Sequence, residues 1–103
     1  TTAIQRAKAF AGHLIPVEVE VDTLEQLELA LKEGVNLVLL DNMKPNELRE
    51  AVKLAKGICQ TEASGGISPH NVLEVAQTGV DFIAMGWITH SVKSLDIGLD
   101  YTL

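Results

Sequence analysis

Apolar and polar residues alternate along the chain with two periods, one of two residues and one close to the helical repeat. From Val17 to Val21 every second residue is apolar, which is typical of a β-strand with one buried face and predicts a strand over residues 16–21. Short apolar runs at residues 36–40, 58–63 and 81–85 predict three further strands.

Apolar residues at helical spacing fill the intervals between these strands. We expect helices over residues 1–12, 23–34, 45–57, 68–79 and 88–95, followed by an extended tail at 96–103. The start signals agree with these bounds, because Thr23 is followed by Gln26 in the capping-box position and Ser68 precedes Pro69.

Alternating strands and helices favour parallel strands joined by right-handed crossovers. A complete eight-stranded barrel needs roughly 250 residues, whereas this chain has 103. We therefore expect an α/β fold in which parallel strand–helix repeats form half of an open TIM-like barrel. Residues 1–103 would be one unit without a linker. The chain opens without Met inside a helical pattern, so we expect it to be part of a longer protein.

Strand parity predicts which side chains face the barrel axis. Val17, Val19 and Val21 share one face of the first strand and would pack beneath the helices. The axis-facing set comprises Glu18, Glu20, Leu37, Leu39, Asp41, Gln60, Glu62 and Ser64.

Three acidic residues of this set, Glu20, Asp41 and Glu62, lie near the C-terminal ends of successive strands. Carboxylates held close together need cations, protons or hydrogen-bond donors. Oxygen ligands at a barrel mouth suit Mg²⁺ shared with substrate phosphates, so we predict such a site at Glu20 and Asp41. The alternative is that these acids face solvent in edge loops. Glu62 is a further candidate, or it pairs with a basic residue outside this chain, and Glu18 has a structural role.

Two glycine turns follow the last two predicted strands. Ser64-Gly65-Gly66 precedes a helix start, and Gly86 precedes the predicted helix at 88–95. Glycines let a backbone approach a ligand closely, and N–H groups at helix starts attract anions. We therefore predict a phosphate site between the two turns. The alternative is that both are simple tight turns.

The residues after Gly86 and the remaining reactive side chains need separate interpretations. Trp87 walls the phosphate pocket or packs in the core, and His90 contacts the ligand or packs against a helix. His13 and His70 are expected at the surface, as are the lysines at positions 44, 53 and 56. Cys59 lies in an apolar run and is expected to be a buried, unreactive thiol.

Composition narrows the function classes. A net charge of −6 argues against binding to nucleic acids and to anionic membrane surfaces. A single cysteine excludes an internal disulfide and fits a reducing cytoplasm. No apolar stretch approaches the ~20 residues of a membrane span. We therefore expect a cytoplasmic protein without nucleic-acid or membrane partners.

Four motifs, in order and spacing, resemble the C-terminal half of the quinolinate phosphoribosyltransferase family, whose members are also called nicotinate-nucleotide pyrophosphorylases (carboxylating). The motifs are Val17-Glu18-Val19-Glu20-Val21, Leu39-Leu40-Asp41-Asn42-Met43, Glu62-Ala63-Ser64-Gly65-Gly66-Ile67, and Met85-Gly86 with Thr89-His90-Ser91. The closing Leu95-Asp96-Ile97-Gly98-Leu99 also looks like the last strand of the family.

The resemblance implies an enzyme of NAD biosynthesis. Such a pentosyltransferase joins quinolinate to phosphoribosyl pyrophosphate with Mg²⁺, and gives nicotinate mononucleotide, pyrophosphate and CO₂. It implies an open α/β barrel with an N-terminal sandwich domain, assembled as dimers or hexamers. Glu20 and Asp41 match the family's phosphoribosyl and metal-site acids. Ser64, Gly65, Gly66 and Gly86 match its phosphate contacts, and His90 matches a substrate-side histidine.

The chain departs from the family by lacking the N-terminal domain and the early barrel strands. In the family those parts carry the Arg and Lys residues that hold the quinolinate carboxylates and the pyrophosphate, so we expect the isolated chain to be inactive. Two alternatives remain. One is another phosphate-binding α/β-barrel enzyme, such as the family's molybdenum-associated relative or an amino-acid biosynthetic barrel. The other is a non-catalytic half barrel.

Overall fold

The computed structural model describes residues 2–11, 17–86 and 88–94. Helices and strands alternate as predicted over most of this length. The helices are α1 (Thr2–Ala11), α2 (Leu24–Lys32), α3 (Pro45–Ala55) and α4 (Val72–Ala76). The strands are β1 (Glu18–Val21), β2 (Leu37–Asp41), β3 (Gln60–Ser64), β4 (Phe82–Met85) and β5 (Ile88–Ser91), and a 3₁₀ turn covers Val92–Ser94. No helix of the described part is long and apolar enough to cross a membrane.

The five strands form one sheet in the order β1-β2-β3-β4-β5. The pairs from β1 to β4 are parallel, and β5 pairs with β4 in the antiparallel direction. The predicted α/β class and parallel strand–helix repeats are therefore confirmed. That the sheet is half of a barrel stays a prediction.

Capping contacts explain where α2 and α3 begin. The hydroxyl of Thr23 accepts a hydrogen bond from the Gln26 N–H at 3.1 Å, and the Gln26 side chain accepts one from the Asp22 N–H at 2.8 Å. This arrangement confirms the predicted start of α2. Pro45 occupies the first turn of α3. N–H groups in this turn have no acceptor within the helix, so the missing N–H of proline costs no hydrogen bond there.

The core lies between the helices and one face of the sheet. Val21, Val38, Leu40 and Ile83 are at most 3% exposed on that face. Leu27 of α2 and Leu48 of α3, with the other core residues of the helices, cover it. The opposite face carries the acidic residues that were predicted to face the barrel axis, and among them Glu18 and Glu20 are exposed. Strand parity therefore predicted the two faces correctly.

The third of the predicted inter-strand helices is shorter than expected. Helix α4 begins at Val72 instead of Ser68, because the intervening residues form a turn closed by side chains. The Ser68 N–H donates to Asn71 Oδ1 at 2.8 Å, and the Ser68 hydroxyl accepts from the His70 N–H at 3.2 Å. Asn71 Nδ2 also donates to the Gly66 carbonyl oxygen at 2.9 Å. These local bonds satisfy groups that a longer helix would have used.

The prediction of a helix at residues 88–95 is wrong, because residues 88–91 form β5. Only Gly86 and Trp87 separate β4 from β5, and Gly86 has φ +61°. A two-residue connection with a left-handed glycine favours a hairpin. Ile88 and Thr89, both β-branched, suit a strand. The predicted tail at 96–103 lies outside the described residues.

Candidate functional site

The carboxyl ends of β1 to β4 meet at one edge of the sheet, which we call the carboxyl edge. In parallel α/β sheets this edge is where ligands bind. The predicted site residues found at the carboxyl edge are Glu20, Asp41, Ser64, Gly65, Gly66 and Gly86. The fold therefore brings the two predicted acids and both glycine turns to the same edge.

Glu20 and Asp41 lie on the same face of neighbouring strands. Glu20 pairs with Leu39, so Asp41 lies two residues beyond the partner of Glu20, toward the carboxyl end of β2. From strand spacing and rise, their Cα atoms are about 8 Å apart. Glu20 is exposed and Asp41 is half-buried. Two carboxylates at this separation are close enough to act on one ligand.

Asp41 and Ser64 are register partners at the ends of β2 and β3. The Ser64 hydroxyl donates to Asp41 Oδ1 at 3.5 Å, at the long limit of a hydrogen bond. One residue further, the Asn42 N–H donates to the Ser64 carbonyl oxygen at 3.0 Å. This contact with Asn42 was missed at the sequence level. A signal did exist, since Asn after a strand end is a residue type that tolerates positive φ.

Gly65 and Gly66 both have positive φ, +81° and +67°, yet their surroundings differ. A Cβ on Gly65 would overlap the Asn42 amide and lie 2.7 Å from Asp41 Oδ1. A Cβ on Gly66 would meet no atom within 4 Å. Gly65 is therefore required by its protein neighbours, whereas the space beside Gly66 is open to a ligand.

The second glycine turn differs from the prediction. A Cβ on Gly86 would meet nothing within 4 Å, so the approach to its backbone is open. However, β5 follows this turn, so the expected second helix start is absent. Trp87 lies outside the described residues. His90 is half-buried on β5, paired with the core residue Ile83. Directly paired residues share a face, so His90 lies on the helix side and not with the acids.

Glu62 is the most buried of the three acids, at 8% exposed. Burial raises the pKa of its carboxyl group, and the nearby Glu18 raises that pKa further. Both effects favour the protonated form. Glu62 therefore differs from Glu20, which is open to solvent.

The donor atoms at the carboxyl edge suit a hard cation. Carboxylate oxygens of Glu20 and Asp41 and the Ser64 hydroxyl are of the oxygen type that Mg²⁺ prefers. Across the part of the chain that the structure describes, no group of three or more His, Cys, Asp or Glu side chains could hold a metal by itself. A cation held here would therefore need further oxygen ligands besides the side chains of the described residues.

A cleft of about 380 Å³ adjoins the Ser64-Gly65-Gly66 turn on the helix side. Residues of the β2–α3 connection, including Asn42 and Lys44, line one wall, and Asn71 and Val75 line the other. The turn is therefore accessible from this side as well.

Of the other reactive side chains, Lys44 and His70 lie in the connections that follow β2 and β3 at the carboxyl edge, and Lys44 lines the cleft. His70 is exposed, as predicted, and so are the lysines at positions 44, 53 and 56. Cys59 is half-buried and not fully buried as expected, and burial followed by the charge of Asp81 raises the pKa of its thiol. A raised thiol pKa disfavours the reactive thiolate, in agreement with the expected unreactive thiol. His13 lies outside the described residues.

Residues 1–100 match a family model described as quinolinate phosphoribosyl transferase, C-terminal domain. A probable nicotinate-nucleotide pyrophosphorylase (carboxylating) of Bacillus subtilis is 44% identical over 101 residues, which cover 98% of this chain and 35% of that protein. A nicotinate-nucleotide pyrophosphorylase (carboxylating) of Mycobacterium leprae is 47% identical over 98 residues, covering 92% and 34%.

A solved structure resembles the fold as well. The nicotinate-nucleotide pyrophosphorylase from Francisella tularensis superposes with a TM-score of 0.75 at 36% identity, covering 80% of this chain and 29% of that one. The chain thus spans about a third of the length of the curated relatives that it matches.

Proposed function

We propose, from the premise that this chain belongs to the quinolinate phosphoribosyl transferase family, that it supplies the phosphoribosyl-binding part of an enzyme of NAD biosynthesis. The reaction joins quinolinate to phosphoribosyl pyrophosphate and gives nicotinate mononucleotide, pyrophosphate and CO₂. By the complete enzyme we mean this chain joined to the additional length that its relatives have.

The observation that carries the proposal is the arrangement at the carboxyl edge. Asp41 Oδ1 lies 3.5 Å from the Ser64 hydroxyl oxygen, and a Cβ on Gly66 would meet no atom within 4 Å. None of the hydrogen bonds found within the described residues uses the N–H groups of Gly65 or Gly66. Exposed N–H groups beside open space suit phosphate oxygens, and carboxylates suit the ribose end of the same ligand.

The turn after β3, together with Gly86, binds the 5′-phosphate in this proposal. Because α4 has only five residues and starts at Val72, the donors are N–H groups of the glycine turn and not a helix start. Gly86 on the neighbouring strand leaves the other side open. We also propose Trp87 and His90 as weaker contacts of the ligand. The register places His90 on the face opposite to the acids, and Trp87 lies outside the described residues.

The two acids act on the ribose. As the bond between ribose C1 and the pyrophosphate oxygen breaks, the electron pair leaves with pyrophosphate and positive charge develops at C1. The quinolinate nitrogen then forms the new bond to C1. The bond from ring C2 to the adjacent carboxylate breaks, its electron pair stays on C2 as CO₂ leaves, and C2 takes a proton from water. Carboxylates of Glu20 and Asp41 would stabilise the developing positive charge. Mg²⁺, when bound, supplies charge stabilisation for the leaving pyrophosphate.

This chain offers few basic groups to these anionic substrates, although the exposed Lys44 lines the cleft beside the Ser64-Gly65-Gly66 turn. It carries 14 acidic residues against 8 Lys and Arg, and the lysines at 44, 53 and 56 are exposed on or beside α3. The basic residues that hold the quinolinate carboxylates and the pyrophosphate would come from the remaining length of the complete enzyme. We expect that enzyme to be a homo-oligomer.

An assay of the complete enzyme with quinolinate, phosphoribosyl pyrophosphate and Mg²⁺ tests the proposal. We expect stoichiometric nicotinate mononucleotide and CO₂, with turnover within the usual ~1–10³ s⁻¹. The matched control is the 103-residue chain alone, which should be inactive because it lacks the basic residues. A complete enzyme that consumes neither substrate, while it remains folded, would sink the proposed function.

A further inference from the structure

Asn42 has an unusual backbone conformation at the carboxyl edge. It directly follows Asp41 and has φ +54°, whereas every other positive φ found within the described ranges belongs to a glycine. A residue with a side chain costs free energy in this region, although Asn costs less than most residues because its short polar side chain can form local hydrogen bonds. The contacts that hold Asn42 therefore indicate what the conformation achieves.

Two contacts hold Asn42, and both reach the turn after β3. Its N–H donates to the Ser64 carbonyl oxygen at 3.0 Å, which connects the strands beyond their last register pair. Its side-chain amide packs directly on the α-carbon of Gly65, with Cγ 2.9 Å from the position a Cβ would take.

Asp41 takes part in the same close approach. Asp41 Oδ1 lies 2.7 Å from the position of a Cβ on Gly65, so the carboxylate and the Asn42 amide cover one glycine together. Asp41 Oδ1 is also 3.5 Å from the Ser64 hydroxyl. The β2–α3 and β3–α4 connections are thus packed into one unit, whose exposed atoms are a carboxylate, a hydroxyl and a glycine turn.

We propose that Asn42 is a positioning residue, which aligns the Asp41 carboxylate with the Ser64-Gly65-Gly66 turn so that one phosphoribosyl ligand meets both. Asn42 does not touch the reacting atoms in this proposal. The inference rests on the proposed function for the identity of the ligand. The alignment of Asp41 with Ser64 is a property of this chain whatever the ligand is.

The test compares three variants of the complete enzyme. Asn42→Gly keeps the left-handed backbone and removes the amide, and Asn42→Ala removes the amide and disfavours the backbone. The matched control is Asn46→Ala, at an exposed position on α3. Within the described residues its side chain accepts a hydrogen bond from Arg49. KM for phosphoribosyl pyrophosphate, KM for quinolinate, kcat and Tm are measured for each.

For Asn42→Gly we expect a Tm near the wild-type value and a KM for phosphoribosyl pyrophosphate raised at least tenfold, with the KM for quinolinate within about twofold. A purely structural role would lower Tm and leave this substrate selectivity unchanged. Asn42→Ala should show the same selectivity at a lower Tm, and it provides the readout if Asn42→Gly does not fold. Asn46→Ala should resemble the wild type. A folded Asn42→Gly enzyme with wild-type KM values would overturn the proposal.

A crystal structure of Asn42→Gly separates this inference from the proposed function. We expect Asp41 Oδ1 to move away from the Ser64 hydroxyl. If the two atoms stay at 3.5 Å and Gly65 keeps φ +81°, Asn42 does not position them, whichever substrates the enzyme uses. If instead the wild-type enzyme lacks the proposed activity, the proposed function fails and the structural readout alone decides the role of Asn42.

Discussion

At the scale of single residues, the glycines after β3 illustrate two different reasons for lacking a side chain. Gly65 is covered by Asn42 and Asp41, so any substitution there displaces protein atoms. Gly66 adjoins open space, so a substitution there would displace only water or a ligand. Substitution of Gly66 is therefore the cleaner probe of the proposed phosphate site.

We expect Gly66→Val in the complete enzyme to weaken binding of phosphoribosyl ligands strongly. The matched control is Gly57→Val, because Gly57 has a similar φ of +78° and also open space, and it lies at the end of α3 opposite to the site. Positive φ should cost both variants a similar ~1–2 kcal/mol of stability. His90→Ala should weaken binding less than Gly66→Val. Equal ligand affinity in the two glycine variants, measured by calorimetry, would count against the site.

Asp41 is expected to matter through its charge. Asp41→Asn keeps the shape of the side chain and removes the negative charge, so we expect kcat/KM to fall at least tenfold, or ~1.4 kcal/mol. The dependence of the rate on Mg²⁺ concentration should also shift to higher concentrations. Glu50→Gln, an exposed change of the same kind on α3, is the control. A wild-type rate and Mg²⁺ dependence in Asp41→Asn would contradict the assignment.

The raised pKa of Glu62 predicts that the stability of the fold depends on pH. Burial, and after it the charge of Glu18, raise the pKa of the Glu62 carboxyl group above its ordinary value of 4.5. The folded state therefore binds the proton more tightly than the unfolded state, and the stability so gained is lost as pH rises from about 4.5 through the folded pKa. Glu62→Gln should flatten this loss, whereas Glu28→Gln, an exposed change on α2, should not. Urea denaturation of this chain between pH 4 and 8 measures the effect, and identical pH profiles for wild type and Glu62→Gln would refute it.

At the scale of elements, α2 and α4 show how side-chain bonds set helix bounds. The Thr23 hydroxyl caps the start of α2 by accepting from the Gln26 N–H, and the Gln26 side chain accepts from the N–H of Asp22, the residue before the cap. Before α4, the Ser68 N–H donates to Asn71 Oδ1 and the Ser68 hydroxyl accepts from the His70 N–H. These bonds close a turn, so the helix begins only at Val72. The same chemical groups therefore start one helix and delay the other.

Removal of the α2 cap should have a defined cost. Thr23→Ala deletes the acceptor for the Gln26 N–H, and we expect a loss of ~1 kcal/mol in the free energy of unfolding. Thr23→Ser keeps the hydroxyl and should retain most of that stability. Urea denaturation of both variants at one protein concentration provides the comparison. Equal losses in the two variants would show that the hydroxyl does not cap the helix.

At the scale of the whole molecule, the described residues leave β1 and β5 as edge strands of the sheet and leave part of the face opposite the helices exposed. Strand β1 pairs only with β2, and β5 pairs only with β4, so each described edge strand offers unpaired N–H and C=O groups. The face opposite the helices carries Glu18 and Glu20, both exposed. In the complete enzyme, further strands would cover both features.

We therefore expect the isolated chain to self-associate through its edges. Sedimentation velocity over a hundredfold range of concentration should show a weight-average mass above that of one 11.1 kDa chain, increasing with concentration. The complete enzyme, in which the edges are paired, should show a fixed oligomeric state over the same range. A strictly monomeric and cooperatively folded isolated chain would contradict this expectation.

The sequence by itself determined the features that depend on local order. Alternation of Val and Glu in β1 fixed which face is buried, because side chains on a strand alternate. Thr23 with Gln26 fixed the start of α2, and the position of Asp41 after an apolar run placed it at a strand end. Motif order was also sufficient to identify the family, which the match over residues 1–100 confirms.

Only the tertiary structure decided features that depend on residues far apart in the chain or on competing local bonds. Residues 88–91 became a strand because β4 offered a free edge next to a two-residue turn, and a helical pattern cannot report such a partner. The register of that strand then placed His90 away from the acids. The distinction between Gly65 and Gly66 likewise depends on Asn42, which folding brings across from the neighbouring strand. Periodicity describes one segment at a time, whereas these outcomes are set by contacts between segments.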